Sequence, residues 1–175
     1  MAVHLEVLGP SDWRRLREVR LKALADAPDA FWTTLAEARR LDEAAWSERL
    51  GPSTGWFVAV ADGLDVGLAA CAEHRDSDGS AHVISMWVAP RARRVGAGRL
   101  LLDACVAWAR ERALTPVRLE VVDANVAAVA LYEGYGFLPS GVVGTFPPPR
   151  EHLTEHERAL HLGSTDNRGR RHVGR

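Results

Sequence analysis

One segment constrains the fold of this chain more than any other. It runs Ile84-Ser-Met-Trp-Val-Ala-Pro90, then Arg91-Ala-Arg-Arg-Val-Gly-Ala-Gly98, then Arg99-Leu-Leu-Leu-Asp-Ala-Cys-Val-Ala-Trp-Ala109. A run of β character stops at a proline, a basic turn with two glycines follows, and a long helix opens, predicted over Gly96 to Arg112. Leu101, Cys105 and Trp108 fall at i, i+4 and i+7 and give that helix an apolar stripe. Glycine at 96 and 98 lets backbone N–H groups come close to an anion. Those groups sit at a helix N-terminus, where orphan donors and the helix dipole both favour negative charge. Arg91, Arg93, Arg94 and Arg99 surround the spot, so the physical reading is a phosphate or diphosphate cradle. It is not a Walker A loop, because the Gly-Lys-Ser/Thr ending is absent, and it lacks the third glycine of the dinucleotide fingerprint. On spacing alone, the same residues also describe two glycines that open a helix and four arginines that coat a surface.

The flanking sequence surrounds this unit with alternating elements. Val3 to Leu8 alternates as a strand, Gly9-Pro10 ends it, and Ser11 is the expected N-cap of a helix carrying Trp13, Leu16, Val19, Arg20 and Leu24 on one face. Asp26 to Asp29 breaks that helix, and Asp42 caps a second, short one with Ala45, Trp46 and Leu50. Trp56 to Ala61 and Asp65 to Glu73 are strand-like runs joined by Asp62-Gly63, a hairpin signal. A polar loop from Arg75 to Ser80 leads into the strand Ala81 to Val88. Downstream lie a strand from Pro116 to Val122, a helix from Asn125 to Tyr135, and two last strands, Phe137 to Gly144 and Glu157 to Leu162. A stiff loop with Pro147 to Pro149 separates these two. Strand–helix–strand order predicts parallel pairing in the second half, and the hairpins predict antiparallel pairing before it. The expected architecture is α/β: a mixed central sheet of about seven strands flanked by about four helices.

Composition narrows the function classes. The chain has 175 residues, of which 47% are hydrophobic and 26% charged, the balance of a soluble globular domain with a sizeable core. Residues 1–163 read as one domain. The last twelve residues, 164–175, carry four arginines and one aspartate and no apolar face, so a disordered basic tail is expected there. A net charge of −1 argues against a nucleic-acid partner. No stretch reaches the length of a membrane span, and the N-terminus does not read as a secretory signal. Cys71 and Cys105 stand alone in apolar sequence, without metal spacing, and read as buried hydrophobes. These features together predict a cytoplasmic protein.

The basic turn does not stand alone. Arg93-Arg94-Val95-Gly96-Ala97-Gly98 matches the pattern Arg/Gln-x-x-Gly-x-Gly/Ala, and Met86 to Pro90 precedes it as a strand end. Downstream, Leu119-Glu120-Val121, Asn125, Ala130-Leu131-Tyr132-Glu133 and Gly136-Phe137 follow in order. Together, and with Arg20 to Leu24 and Pro28 to Phe31, these segments resemble the GCN5-related N-acetyltransferase (GNAT) superfamily over about Val3 to Leu162. The resemblance implies that family's fold, with the sheet splayed at its middle strands, and transfer of an acetyl group from acetyl-CoA to a primary amine. It implies that the cofactor pyrophosphate lies on the turn at Arg93, Arg94, Val95, Gly96, Ala97, Gly98 and Arg99. It places the pantetheine arm against the backbone of Met86, Trp87 and Val88, with the side chain of Asn125 holding it. It implies no metal. Homodimers are common in that superfamily.

Transfer needs a base for the amine, donors for the carbonyl oxygen and a proton for the leaving thiolate. No covalent Ser-His-Asp or Cys-His apparatus is visible, so direct attack by the amine in a ternary complex is expected. The resemblance places Tyr132 beside the thioester sulfur as the acid. The phenol, with a solution pKa near 10, carries a proton to give. Glu120 is the expected base, on a strand whose alternation turns it away from Leu119 and Val121, in a segment that resembles ribosomal-protein N-terminal acetyltransferases. Glu73, His82 and a water relay remain rivals for that role, His74 lies nearby in sequence, and an amine that arrives neutral needs no base. The amide of Trp87 or Val88 is the donor that the family geometry offers the oxyanion. For the acceptor, Phe31, Trp32, Trp46, Glu73, His74, Phe146, the prolines 147–149 and Arg150 fall in the expected regions. Trp32 and Phe146 could wall the pocket, Glu73 could hold a cationic amine and Arg150 a carboxylate. The expected acceptor is a small-molecule amine. A protein N-terminus or lysine, and a non-catalytic acyl-CoA-binding module, are the alternatives.

Overall fold

The computed structural model describes residues 2–74 and 78–163. The basic tail, and part of the loop before the third long strand, lie outside the described residues. Seven strands form one mixed sheet in the order β1-β2-β3-β4-β5-β7-β6. β1 (Val3–Val7), β2 (Thr54–Ala61), β3 (Leu64–Glu73) and β4 (Ala81–Val88) pair antiparallel in sequence order. β5 (Val117–Val122) runs parallel to β4 after the helical crossover, as the strand–helix–strand order predicts. β7 (Thr154–Leu160) then inserts antiparallel between β5 and β6 (Leu138–Thr145).

β2 and the middle of β3 are buried along consecutive residues, which requires cover on both faces of the sheet. Helix α1 (Trp13–Asp26) buries Leu16, Val19, Ala23 and Leu24. Helix α4 (Ala97–Glu111) buries Leu101, Cys105 and Trp108 as its stripe requires, together with Leu102, Val106 and Ala109. The thiols of Cys71 and Cys105 meet in this core, both unoxidised. Helix α5 (Val126–Tyr135) follows β5. No helix among the described residues is long and apolar enough to cross a membrane.

Three local expectations change. Among the described residues there are five α-helices, one more than the four placed from the sequence. α2 (Leu35–Arg39) is the extra one, set by a capping box in which Thr34 accepts from the Glu37 N–H and Glu37 reaches back to Thr34. It precedes α3 (Glu43–Glu48), which Asp42 caps as expected. Ser11 is not the cap of α1. Asp12 holds that position, and its carboxylate turns back to the Gly9 N–H at 2.7 Å. The last strand starts at Thr154, three residues before the expected Glu157.

Two features open the middle of the sheet. β4 and β5 pair only at Ala81↔Val117 and His82↔Arg118, and their ladder stops there. β4 also carries an irregularity opposite Leu68 to Ala70, where Ser85 adopts φ +60°. Beyond His82 the two strands diverge, and the wedge between them is the mouth of the site.

Candidate active site

The wedge continues into one cavity of about 1410 Å³. That exceeds the ~300–1,000 Å³ of a pocket for a single small molecule and leaves room for two ligands side by side. One end is the glycine turn, and Arg93, Arg94, Gly96, Gly98, Arg99 and Asn125 line it. Gly96 closes the turn at φ +91°, a conformation that L side chains rarely adopt, and Arg94 sits at φ +67° before it. A Cβ on Gly96 would meet nothing in the protein, so the space over that residue is open to a ligand. A Cβ on Gly98 would meet Leu131 at 2.8 Å, so this second glycine permits α4 and α5 to approach each other. The α4 N-terminus opens directly from this turn. Positive φ, open space and free helix donors together fit a diphosphate.

The arginines divide their labour. Arg93 is tied down: its Nε donates to the Val88 carbonyl at 3.0 Å and its Nη2 to Asp26 at 2.9 Å. Trp87, itself buried, donates its Nε1 to the same carboxylate at 2.9 Å. Asp26 therefore anchors the basic turn to the end of α1. Arg99 stacks 5.2 Å over the Tyr135 ring, and the Tyr135 hydroxyl donates to Asp103 at 2.7 Å. Tyr135 is thus half-buried, with its ring packed against Phe137 and its hydroxyl held by Asp103. Val95 is exposed, Ala97 is buried, and Met86 and Val88 border the cavity with Trp87. Asn125 caps α5, with Oδ1 accepting from the Ala128 N–H at 3.2 Å.

Tyr132 projects from α5 into the same cavity, 5% exposed, its ring set edge-on to Phe137 at 6.1 Å. Burial, reinforced by nearby Cys105, holds its phenol pKa above the ordinary value. The hydroxyl therefore keeps its proton throughout the neutral range.

Opposite lies a cluster of titratable groups that strand register explains. Partners across a ladder share a face. The pairs His82↔Arg118, Glu120↔Glu157 and Val122↔Glu155 therefore put His82, Glu120 and Glu155 on one side of the sheet. His82 Nε2 and Glu120 Oε2 share a short hydrogen bond. The His74 ring lies 5.6 Å from that of His82. Glu155, 7% exposed, accepts from Trp32 Nε1 at 2.9 Å. Burial pushes the Glu155 pKa up and the Glu120 charge adds to the rise, while the Trp32 N–H and His82 pull it back. Glu155 is the residue that sequence reasoning missed, because an acidic, charge-rich stretch reads as a loop before a strand.

The acceptor residues separate into those that line the cavity and those that support it. Phe31 and Trp32 line it. Phe146 is fully buried behind Trp32, with ring centroids 6.1 Å apart, and so backs the wall without facing the cavity. Glu73 is exposed at the end of β3 and is not brought to the site. Arg150 directs three of its five N–H donors to backbone carbonyls. Its Nη1 donates to the carbonyls of Pro28 at 3.0 Å and Phe31 at 2.8 Å, and its Nη2 to that of Trp32 at 2.5 Å. Arg150 is a clamp on the segment that carries Phe31 and Trp32. Replacing it with alanine is expected to raise the acceptor KM about tenfold or more, the worth of a charge-assisted hydrogen bond, with the acetyl-CoA KM unchanged. Steady-state kinetics with each substrate varied in turn checks this, and equal changes in both constants would refute it.

Comparison with known proteins identifies the family and the fold. The family model described as Acetyltransferase (GNAT) family matches residues 19–137. A mycothiol acetyltransferase of Thermobispora bispora is 35% identical over 120 residues, covering 66% of this chain and 39% of the relative. The chain spans only about two fifths of the length of such relatives. A GCN5-related N-acetyltransferase from Kribbella flavida superposes with a TM-score of 0.71 at 26% identity, covering 92% of this chain and 98% of that one. A Salmonella typhimurium protein solved with its cofactor acetyl-CoA shares the fold, with a TM-score of 0.74 at 21% identity over 93% of this chain and 95% of that one.

Proposed function

We propose, for a chain that belongs to the acetyltransferase (GNAT) family, that it transfers an acetyl group from acetyl-CoA to the primary amine of a small molecule. The observation that carries this reading is the single cavity that joins the glycine turn to the Glu120–His82 pair, with Tyr132 between. The open space over Gly96 and the turn before α4 fit the pyrophosphate, with Arg94 and Arg99 beside it. Met86 to Val88 would hold the pantetheine arm along the diverging edge of β4, and Asn125 would meet it through Nδ2, since Oδ1 is engaged. Acetyl-CoA brings the activated thioester. The chain's own groups orient and move protons. Glu155 favours the ammonium form on arrival; Glu120, steadied by His82, then takes one proton from that ammonium, and the neutral nitrogen attacks the thioester carbonyl. As the C–S bond breaks, Tyr132 Oη gives its proton to the departing sulfur, and the second proton released by the acylated nitrogen restores the phenol. The small-molecule acceptor is supported by the mycothiol acetyltransferase relatives and by the aromatic wall of Phe31, Trp46 and Trp56.

The test is acetyl-CoA-dependent thiol release with a panel of small amines and short peptides, scored by product mass. Acetylated small amines are expected. Products confined to peptides would move the chain to the protein-acetylating class, and no product with any amine would overturn the reaction. The base has its own signature. Glu120→Gln is expected to be nearly inactive at pH 7 and to approach wild-type rates above the acceptor's own pKa, about 8–10 for amines, where the nucleophile is already neutral. Loss of activity at every pH would make Glu120 a binding residue.

A further inference from the structure

The cavity has two electrically opposite walls, and only one is explained so far. Besides Glu120 and Glu155, Arg20 on α1 and Arg49 at the end of α3 line the same space with Phe31 and Trp46. Arg20 stacks its guanidinium 4.3 Å over the Phe31 ring, and Arg49 lies 5.4 Å over the Trp46 ring. Among the described residues, no carboxylate forms an ion pair with either arginine. Arg20 Nη1 is buried and has no hydrogen-bond partner. A buried cation without a counter-charge destabilises a fold, and a second cation beside it makes matters worse. Burial and the charge of Arg49 lower the Arg20 pKa to about 10, which still leaves it cationic at neutral pH. Trp32 connects the two walls: it follows Phe31 in the chain and donates to Glu155.

We infer that Arg20, with Arg49 beside it, is the docking site for a carboxylate on the acceptor, so that the acceptor is an ampholyte. Its amine lies toward Glu120 and Glu155, and its carboxylate lies on the guanidinium. The Phe31 ring fixes the plane of that guanidinium, and its unpartnered Nη1 and a neighbouring N–H would each meet one carboxylate oxygen. Arg150, the arginine expected to do this, spends three of its five N–H donors on backbone carbonyls. The amine half of the inference rests on the acetyl-transfer reading. The carboxylate half does not.

The experiment compares matched acceptors: an α-amino acid with its carboxamide, and a dipeptide with its C-terminal amide. The acid is expected to have a kcat/KM about tenfold or more above the amide, the worth of one charge-assisted hydrogen bond. Arg20→Gln is expected to abolish that preference by lowering the acid alone, and Arg20→Lys to retain part of it. A preference confined to the dipeptide pair would assign the carboxylate to a peptide terminus. Equal rates for acid and amide in the wild type, or equal losses for both in Arg20→Gln, would overturn the inference. A second arm omits acetyl-CoA and follows Tm with millimolar succinate against chloride of equal ionic strength. Wild type is expected to rise in Tm and Arg20→Gln to stay put. If no amine is acetylated but the succinate shift depends on Arg20, the anion site stands and the transfer reading falls. No shift in the wild type would remove the anion site.

Discussion

Tyr132→Phe is expected to lower kcat by about 10²–10⁴-fold, the usual worth of a positioned general acid, with acetyl-CoA binding within twofold of wild type. The substitution deletes one oxygen and keeps the ring. The edge-on contact with Phe137 at 6.1 Å therefore survives, and so does the helix that carries it. Burial raises the phenol pKa, so the wild-type hydroxyl carries its proton throughout the neutral range and the phenolate left after donation is readily reprotonated. The deficit should therefore be largest for acyl donors whose thiolate leaves poorly, and it should shrink with an activated thioester. Single-turnover rates with acetyl-CoA and with an aryl thioester, alongside calorimetric binding, separate the steps. Full turnover across the pH range would remove Tyr132 from the chemistry.

Gly96→Val is expected to weaken acetyl-CoA binding by more than tenfold while the protein stays folded. Obstruction by the new side chain is only part of the reason. A Cβ at residue 96 would strike no protein atom, but φ +91° lies where a β-branched residue is strained. Left-handed geometry costs an ordinary residue about 1–2 kcal/mol, a factor of roughly 5–30. The turn can escape that strain by reshaping, which swings its amides off the anion, or it can keep its shape and place two methyl groups in the ligand's space. Both routes lower affinity. Calorimetry of acetyl-CoA binding, with circular dichroism as the control for folding, decides the matter, and unchanged affinity would mean that the turn is not the cradle.

The two positions were found by different routes. The glycine after a basic turn and before an apolar stripe can be read from neighbours within a few residues, whereas Tyr132 was singled out by the resemblance, since a tyrosine on a short helix reads equally as core packing. Glu120 was legible through strand alternation, but its bond to His82 was not, since it spans 38 residues and depends on the two-pair ladder between β4 and β5. Arg20 gave a signal that went unused: it stands on the apolar stripe of α1, where a charge calls for a reason. Thr34 and Glu37 likewise spell a capping box, yet the helix they start is too short to show periodicity. Arg150 misled for the opposite cause. An exposed-looking arginine after three prolines suggests a free donor, and nothing nearby in sequence reveals that its donors are spent on Pro28, Phe31 and Trp32. Glu155 was hidden by a strand boundary three residues away from its expected place.

The Arg150 clamp joins residues 118 to 122 positions apart. It makes the roof of the acceptor end a joint product of the chain's two extremities, while the glycine turn, Glu120 and Tyr132 all fall between residues 84 and 135. The family match ends at residue 137, short of Phe146, Arg150 and Glu155. The donor end of the cavity is thus built wholly from the matched stretch, whereas the acceptor end is closed only when residues beyond position 137 fold back onto residues 28–32.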